Sequence, residues 1–267
     1  IKDQLKQCRK RFCYCWAPEL VTSNRARRGG MIKSDASGQG SLVYGKTSEH
    51  VLGVRAVLLG GDILDTQPLP VELAETLGKS NTTIGRIYNT VYQRCRQQRQ
   101  LIIDIFPKLH RFLTGYDLRH VFNDEMTEFD LTRILTGSEW TLAFITEARL
   151  DITRLPKVRR LVNVKYDSFD SALRNAPFMV EARALSVETV DSKVLNLARE
   201  DIVWHSVSEL ITDVPDKEML GLTIVEFAGD DEALIDERVN ALCVRLDELI
   251  ASQQARVIRW SVCRDPA

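Results

Sequence analysis

The sequence predicts an α+β fold in two parts that meet near Leu155 and Pro156. Three observations predict it. An opening stretch is dense in Gly, Ser, Thr and Asn and holds no sustained period of 3.6 or 2. A hairpin pattern follows in the first part, with a β-prone segment later on. After Pro156, strand-like and helix-like runs alternate regularly. With 267 residues, 44% apolar and 27% charged, the chain can bury a large core and is not a disordered polymer.

The elements are justified in order. ELVTSNRARRGGMIKSDASGQGSLVYGKTS, residues 19–48, reads as a long ordered loop surface. VLGVRAVLLGGDILDTQ reads as two strands around Gly60, Gly61 and Asp62, because glycine tolerates the positive φ of a tight hairpin turn. From Asn81, the apolar positions Ile84, Ile87, Val91, Cys95, Ile102, Phe106 and Leu109 follow helical spacing. A polar gap near Arg99 leaves one helix or two, with Pro107 at the exit. Gly137 and Ser138 precede a β-prone stretch from Thr141 to Ile152. Beyond Pro156, LVNVKYD is a strand and SFDSALRNA is a helix capped by Ser168 and stopped before Pro177. ARALSVETV and LTIVEFAG are strands, and a helix from about Asp231 to Ile250 has Ile235, Val239, Leu242, Leu246 and Leu249 on one face.

Charge and cysteine usage narrow the function classes. Lys plus Arg at 36 against Asp plus Glu at 37 leaves a formal charge of −1, so no basic excess is available for nucleic acid, and none is expected as a partner. The richest apolar stretch, VLGVRAVLLGGDIL, is broken by Arg55, two glycines and Asp62, short of the roughly 18 uninterrupted apolar residues of a membrane span. Six scattered cysteines do not make a disulfide framework and point to a reducing cytoplasm. The start lacks both an initiator Met and a signal-peptide core, and VIRWSVCRDPA stops directly after a strand-like run. Both ends therefore read as those of an incomplete piece.

The residues offer several candidate sites. RGGMIKSDASGQG brings Gly29, Gly30, Gly38 and Gly40 close together, a pattern that either aims backbone N–H groups at an anion or only makes tight turns. It matches neither the GxGxxG nor the GxxxxGK[ST] fingerprint. Cys8, Cys13 and Cys15 lie near Arg9, Lys10 and Arg11 but have no fourth zinc-like ligand, which favours incidental thiols and no metal. His50, His110, His120 and His205 lie apart from one another and from acid partners, so none is nominated as a base. Tyr116 and Asp117 in TGYDL read as pinning a turn.

APELVTSNRARRGGMIKSDASGQGSLVYG, HVLGVRAVLLGGDIL, LTGYDL and LTGSEWTLAFITEARL, in this order, resemble the FAD-binding domain of the vanillyl-alcohol-oxidase type. Within that family they are most similar to the branch of D-lactate, glycolate and D-2-hydroxyglutarate dehydrogenases. The resemblance implies a PCMH-type FAD-binding subdomain at residues 1–154, then a partial ferredoxin-like α+β substrate cap at 155–267. It implies an oxidoreductase passing hydride from a small 2-hydroxy acid to FAD, with a homo-oligomer possible. The alternative is a non-catalytic α+β fragment that holds no flavin.

By the same resemblance, Glu19, Ser23 and Asn24 begin the wall over the flavin, and Gly29 and Gly30 bring backbone to its pyrophosphate side. Asp35, Ser37 and Gly38 continue the wall. Ser138 and Glu139 form the GSE turn, and Ile145 offers backbone hydrogen bonds toward the adenine. The family's pyrophosphate loop would precede Ile1. Its substrate and metal histidines, and an iron-sulfur cluster, would follow Ala267, so no catalytic residue is expected within the chain. Arg27 and Arg28 stand where the family has small or apolar residues, and Trp140 stands where it has glycine.

Overall fold

The structure is a computed structural model describing residues 12–20, 22–109, 111–112, 115–202, 204–208, 211 and 214–264. The chain divides into two compact units, Ile1–Leu155 and Pro156–Ala267.

The first unit opens with β1 (Tyr14–Cys15) and two short helices, α1 (Arg28–Lys33) and α2 (Ser41–Tyr44), then a 3-10 turn, Thr47–His50. The stretch expected as surface loop is thus partly helical and partly buried. Met31, Ile32, Lys33, Asp35, Thr47 and Ser48 are all enclosed. The apolar pair Met31–Ile32 is too short to show a period, and the burial of this stretch rests on contacts distant in sequence.

β2 (Val51–Leu58) and β3 (Ile63–Thr66) form the expected hairpin, with Val54 opposite Thr66 and Val57 opposite Ile63. Gly60 and Gly61 turn it at φ of +104° and +95°, values that any Cβ would resist. β4 (Leu69–Pro70) leads into α3 (Val71–Gly78), α4 (Thr83–Gln97) and α5 (Arg99–Ile105). The Thr82 hydroxyl caps α4 by accepting from the Gly85 N–H at 3.0 Å. Two helices form rather than one because Gln98 leaves helical geometry at φ −106°, ψ 18°. There the Arg99 side chain turns inward, donating to the carbonyls of Arg119, Phe122 and Asn123.

β5 (Glu128–Phe129) pairs antiparallel with β4, and α6 (Thr132–Leu135) precedes β6 (Ala143–Leu150). β6 joins the open edge of β2, giving the order β3-β2-β6. The core sets Tyr88 and Tyr92 of α4 against Phe122 and Phe129, with ring centroids 5.1 to 5.9 Å apart in tilted and edge-on geometry. β7 (Thr153–Arg154) closes the unit by pairing with β1, which buries Cys15.

The second unit contains β8 (Val158–Tyr166), α7 (Phe169–Glu181), β9 (Ser186–Asp191), α8 (Ser192–Glu200), α9 (Trp204–Val207), β10 (Gly221–Gly229), α10 (Glu232–Ala251) and β11 (Val257–Cys263). Its four strands run in the order β11-β8-β10-β9, every neighbour antiparallel. β8 and β9 are therefore parallel with β10 between them, a split β-α-β arrangement. Ser168, Asp191 and Asp231 cap α7, α8 and α10 by accepting backbone N–H groups three residues on.

One face of this sheet is apolar. Val162, Val164, Tyr166, Val225 and Phe227 pack there with Met179 of α7 and Ile235, Val239, Leu242 and Leu246 of α10. The other face holds Asn163, Lys165 and Glu226, each 5% exposed or less, a polar set that strand alternation alone did not single out.

α7 runs through Pro177 instead of stopping before it. Proline removes one helical hydrogen bond. Carrying on, however, places Met179, fully buried, in the core and Phe178 against it, and that burial outweighs the local penalty.

Candidate functional site

Of the residues nominated from the sequence, Ser138 and Glu139 are joined to the end of α1 at Lys33, and Gly38 packs against Glu19, whereas Ser23, Asn24 and Ile145 are tied to other stretches. Gly29 and Gly30 lie inside α1, not in a loop, and a Cβ at either would meet nothing within 4 Å. Their backbone faces open space. Gly38 is different: a Cβ there would stand 2.0 Å from the Glu19 carbonyl oxygen, so this glycine serves chain-on-chain packing. The Gly38 N–H donates to the Ser41 hydroxyl, beside half-buried Ser37. Ser23 and Asn24 occupy a turn in which the Ser23 N–H donates to the Leu20 carbonyl.

Asp35 sits at a left-handed φ of +46° directly after α1. Its carboxylate accepts the Ser48 N–H at 2.8 Å and the Ser48 hydroxyl at 3.1 Å, and it pairs with the Lys46 ammonium at 2.6 Å. The carboxylate therefore ties two loops together.

The turn after α6 is stitched to α1 by backbone bonds. The Gly137 N–H donates to Ile32 and the Glu139 N–H donates to Lys33, both at 2.9 Å. The Ser138 hydroxyl donates to the Leu135 carbonyl and accepts from Lys33 Nζ at 3.2 Å. Glu139 and Trp140 take φ values of +46° and +63°, a strained pair for residues with a Cβ. The Trp140 indole is 61% exposed. Ile145 lies on β6 opposite Ala56, and β6 is a sheet edge whose outer side has no strand neighbour among the described residues.

The sequence reading missed Lys33, which is 2% exposed and whose pKa burial draws below the usual lysine value. A lysine ending a helix ordinarily reads as solvated, so only the contact with Ser138 reveals it. It also missed His120. The imidazole Nδ1 lies 2.8 and 2.9 Å from the two oxygens of Asp117, correcting the expectation that no histidine has an acid partner. The i,i+3 spacing in YDLRH was the signal available. Asp117 pins its turn as well, accepting the His120 N–H, and these bonds hold its carboxyl below the ordinary aspartate pKa against the opposing effect of burial. Cys8 and His110 lie outside the described residues. Cys13 is an exposed free thiol, and no metal-holding cluster occurs among the described residues.

A flat dinucleotide would need bare backbone, fixed donors and room. The open faces of Gly29 and Gly30, the uncommitted outer edge of β6 and the buried, unpartnered Thr136 hydroxyl beside Ser138 fit such a group. Such features suit binding rather than chemistry.

Residues 155–266, the split β-α-β unit, match the family described as FAD linked oxidases, C-terminal domain. Over all 267 residues the chain is 91% identical to the D-2-hydroxyglutarate dehydrogenase of Escherichia coli (strain K12), and over 265 residues it is 70% identical to that of Pantoea ananatis (strain AJ13355). It is 24% identical over 182 residues to the glycolate oxidase subunit GlcD of Bacillus subtilis (strain 168), covering 67% of this chain and 28% of that protein. The chain spans about a quarter of the two dehydrogenases, 26% of each. A solved structure of alkyldihydroxyacetonephosphate synthase superposes at a TM-score of 0.61 with 13% identity, covering 100% of this chain and 38% of that one, a likeness of fold alone.

Proposed function

We propose that the chain forms the flavin-facing wall and the first part of the substrate cap of an FAD-dependent D-2-hydroxy-acid dehydrogenase acting on D-2-hydroxyglutarate. The observation that carries this is the 91% identity along the whole chain to a protein of that name. In this reading the PCMH-type wall occupies 1–154 and a ferredoxin-like partial cap 155–267. FAD, when bound, takes up at N5 the hydride from the hydroxyl-bearing carbon. The chain's own contribution is positional. Gly29 and Gly30 admit the cofactor, Ser138, Glu139 and Ile145 orient it, and Glu19, Ser23, Asn24, Ser37 and Gly38 complete the wall. Asp35 acts from behind by fixing the loops. The free thiols of Cys13, Cys95, Cys243 and Cys263 suit a cytoplasmic setting.

The test exchanges the corresponding stretch of the Escherichia coli dehydrogenase for this chain. The purified hybrid is expected to be yellow and to bleach under anaerobic D-2-hydroxyglutarate, with D-lactate and glycolate as comparison substrates. A folded but colourless hybrid would overturn the reading. It would favour instead a flavin-free α+β module, the alternative that the strained Glu139–Trp140 pair at the wall supports.

A further inference from the structure

Lys33 ends α1, is 2% exposed and has no ion pair among the described residues. A methionine of similar length would fill the same space without taking an ammonium out of water. What the ammonium adds is therefore its hydrogen bond. Nζ donates to the Ser138 Oγ at 3.2 Å. The Ser138 hydroxyl has spent its own proton on the Leu135 carbonyl at 2.8 Å, so toward Lys33 its oxygen can only accept. The Lys33 carbonyl takes the Glu139 N–H at 2.9 Å, and this one residue thus grips the turn before β6 by main chain and side chain together.

The turn needs such a grip. Glu139 and Trp140 hold φ values of +46° and +63°, which residues with a Cβ keep only where their surroundings over-determine them. The indole of Trp140, 61% exposed, supplies little of that support. On the far side, the Ser138 carbonyl accepts the Thr141 N–H at 3.0 Å and the Thr141 hydroxyl at 2.6 Å, and that hydroxyl lies 2.9 Å from the hydroxyl of Tyr116. Hydrogen bonds therefore run from the end of α1 through Ser138 to Thr141, at the entry to β6.

We propose that Lys33 is a positioning residue for the flavin, acting through Ser138 to hold the Ser138–Glu139 turn in the conformation that binds FAD. This rests on the flavin reading above and adds to it a residue that lies behind the wall. The test uses the hybrid dehydrogenase, stripped of flavin and titrated with FAD by quenching of flavin fluorescence, beside denaturant melts of the same apoproteins. Lys33→Met should melt no earlier than the unsubstituted hybrid, since a buried ammonium is lost, yet bind FAD about tenfold or more weakly, the equivalent of one hydrogen bond to a charged group. Ser138→Ala should weaken FAD at least as much. Adding Lys33→Met to it should cost less than about twofold more, because both changes break the same bond. If Lys33→Met proves unfolded by circular dichroism, Lys33→Gln, one bond too short to reach Ser138, takes its place in both measurements. FAD affinity unchanged by the lysine variant, a loss of stability that parallels the loss of affinity, or additive losses in the double variant would each overturn the assignment. An unsubstituted hybrid that folds without holding FAD would overturn the flavin reading and this role together, whereas FAD held equally by both forms would strike the role of Lys33 alone.

Discussion

The Lys46 ammonium and the Asp35 carboxylate are 2.6 Å apart, with side chains 6% and 5% exposed, and the pair joins the end of α1 to the segment before β2. Because Asp35 also holds both polar groups of Ser48, one carboxylate positions two loops of the proposed wall. Removing one member of such a pair strands the other charge away from water. Asp35→Ala and Lys46→Met should each destabilise the chain by about 3–5 kcal/mol, while the double variant should lose less than the sum. Denaturant melts of the four proteins check this; additive losses would show the two side chains to be uncoupled.

The paired glycines and Gly38 should behave oppositely. Gly30→Ala places a methyl in open space within a helix and should stabilise the chain by about 0.5–1 kcal/mol. The same methyl should weaken FAD binding if the bare backbone is the cofactor's wall. Gly38→Ala meets the Glu19 carbonyl at 2.0 Å and should destabilise by roughly 1–3 kcal/mol. Thermal melts and FAD titration of the two variants separate these outcomes, and a Gly30→Ala protein with unchanged FAD affinity would move the wall elsewhere.

Trp140 carries a left-handed φ of +63° with its indole largely in solvent. Trp140→Gly removes the Cβ conflict, worth about 1–2 kcal/mol, partly offset by glycine's greater freedom in the unfolded chain. A net gain of up to about 1 kcal/mol is expected, together with stronger FAD binding, read by quenching of flavin fluorescence in the hybrid dehydrogenase. Equal affinities for both forms would place Trp140 away from the nucleotide.

Burial raises the thiols of Cys95 and Cys243 from 9.0 to about 11, Arg99 opposing the shift at Cys95 and Asp247 adding to it at Cys243. The folded chain therefore holds these protons where the unfolded chain has begun to release them. Stability from this source is fully present below pH 9 and declines as pH rises from about 9 toward 11. Denaturant melts at rising pH should show the decline, and Cys95→Ala/Cys243→Ala should flatten it. Alkylation at pH 8 should reach exposed Cys13 long before either buried thiol.

The hairpin at Gly60 and Gly61, the caps at Ser168 and Asp231 and the apolar face of α10 were legible because each rests on residues a few positions apart. Strand period, cap chemistry and positive φ are local properties, and the chain states them directly. The proposed wall was nominated through motif resemblance, since Gly29, Gly30, Ser138 and Glu139 lie in recognisable segments. Their surroundings were not legible. Lys33 meets Ser138 across 105 positions, and α7 passes Pro177 because Met179 finds a core built from other strands. By itself the sequence determined where the β2–β3 hairpin turns, how α7 and α10 are capped, and which family motifs the chain resembles. Only the tertiary structure decided which polar groups lose water and which partners they find, because desolvation and pairing depend on neighbours that folding brings together from distant positions.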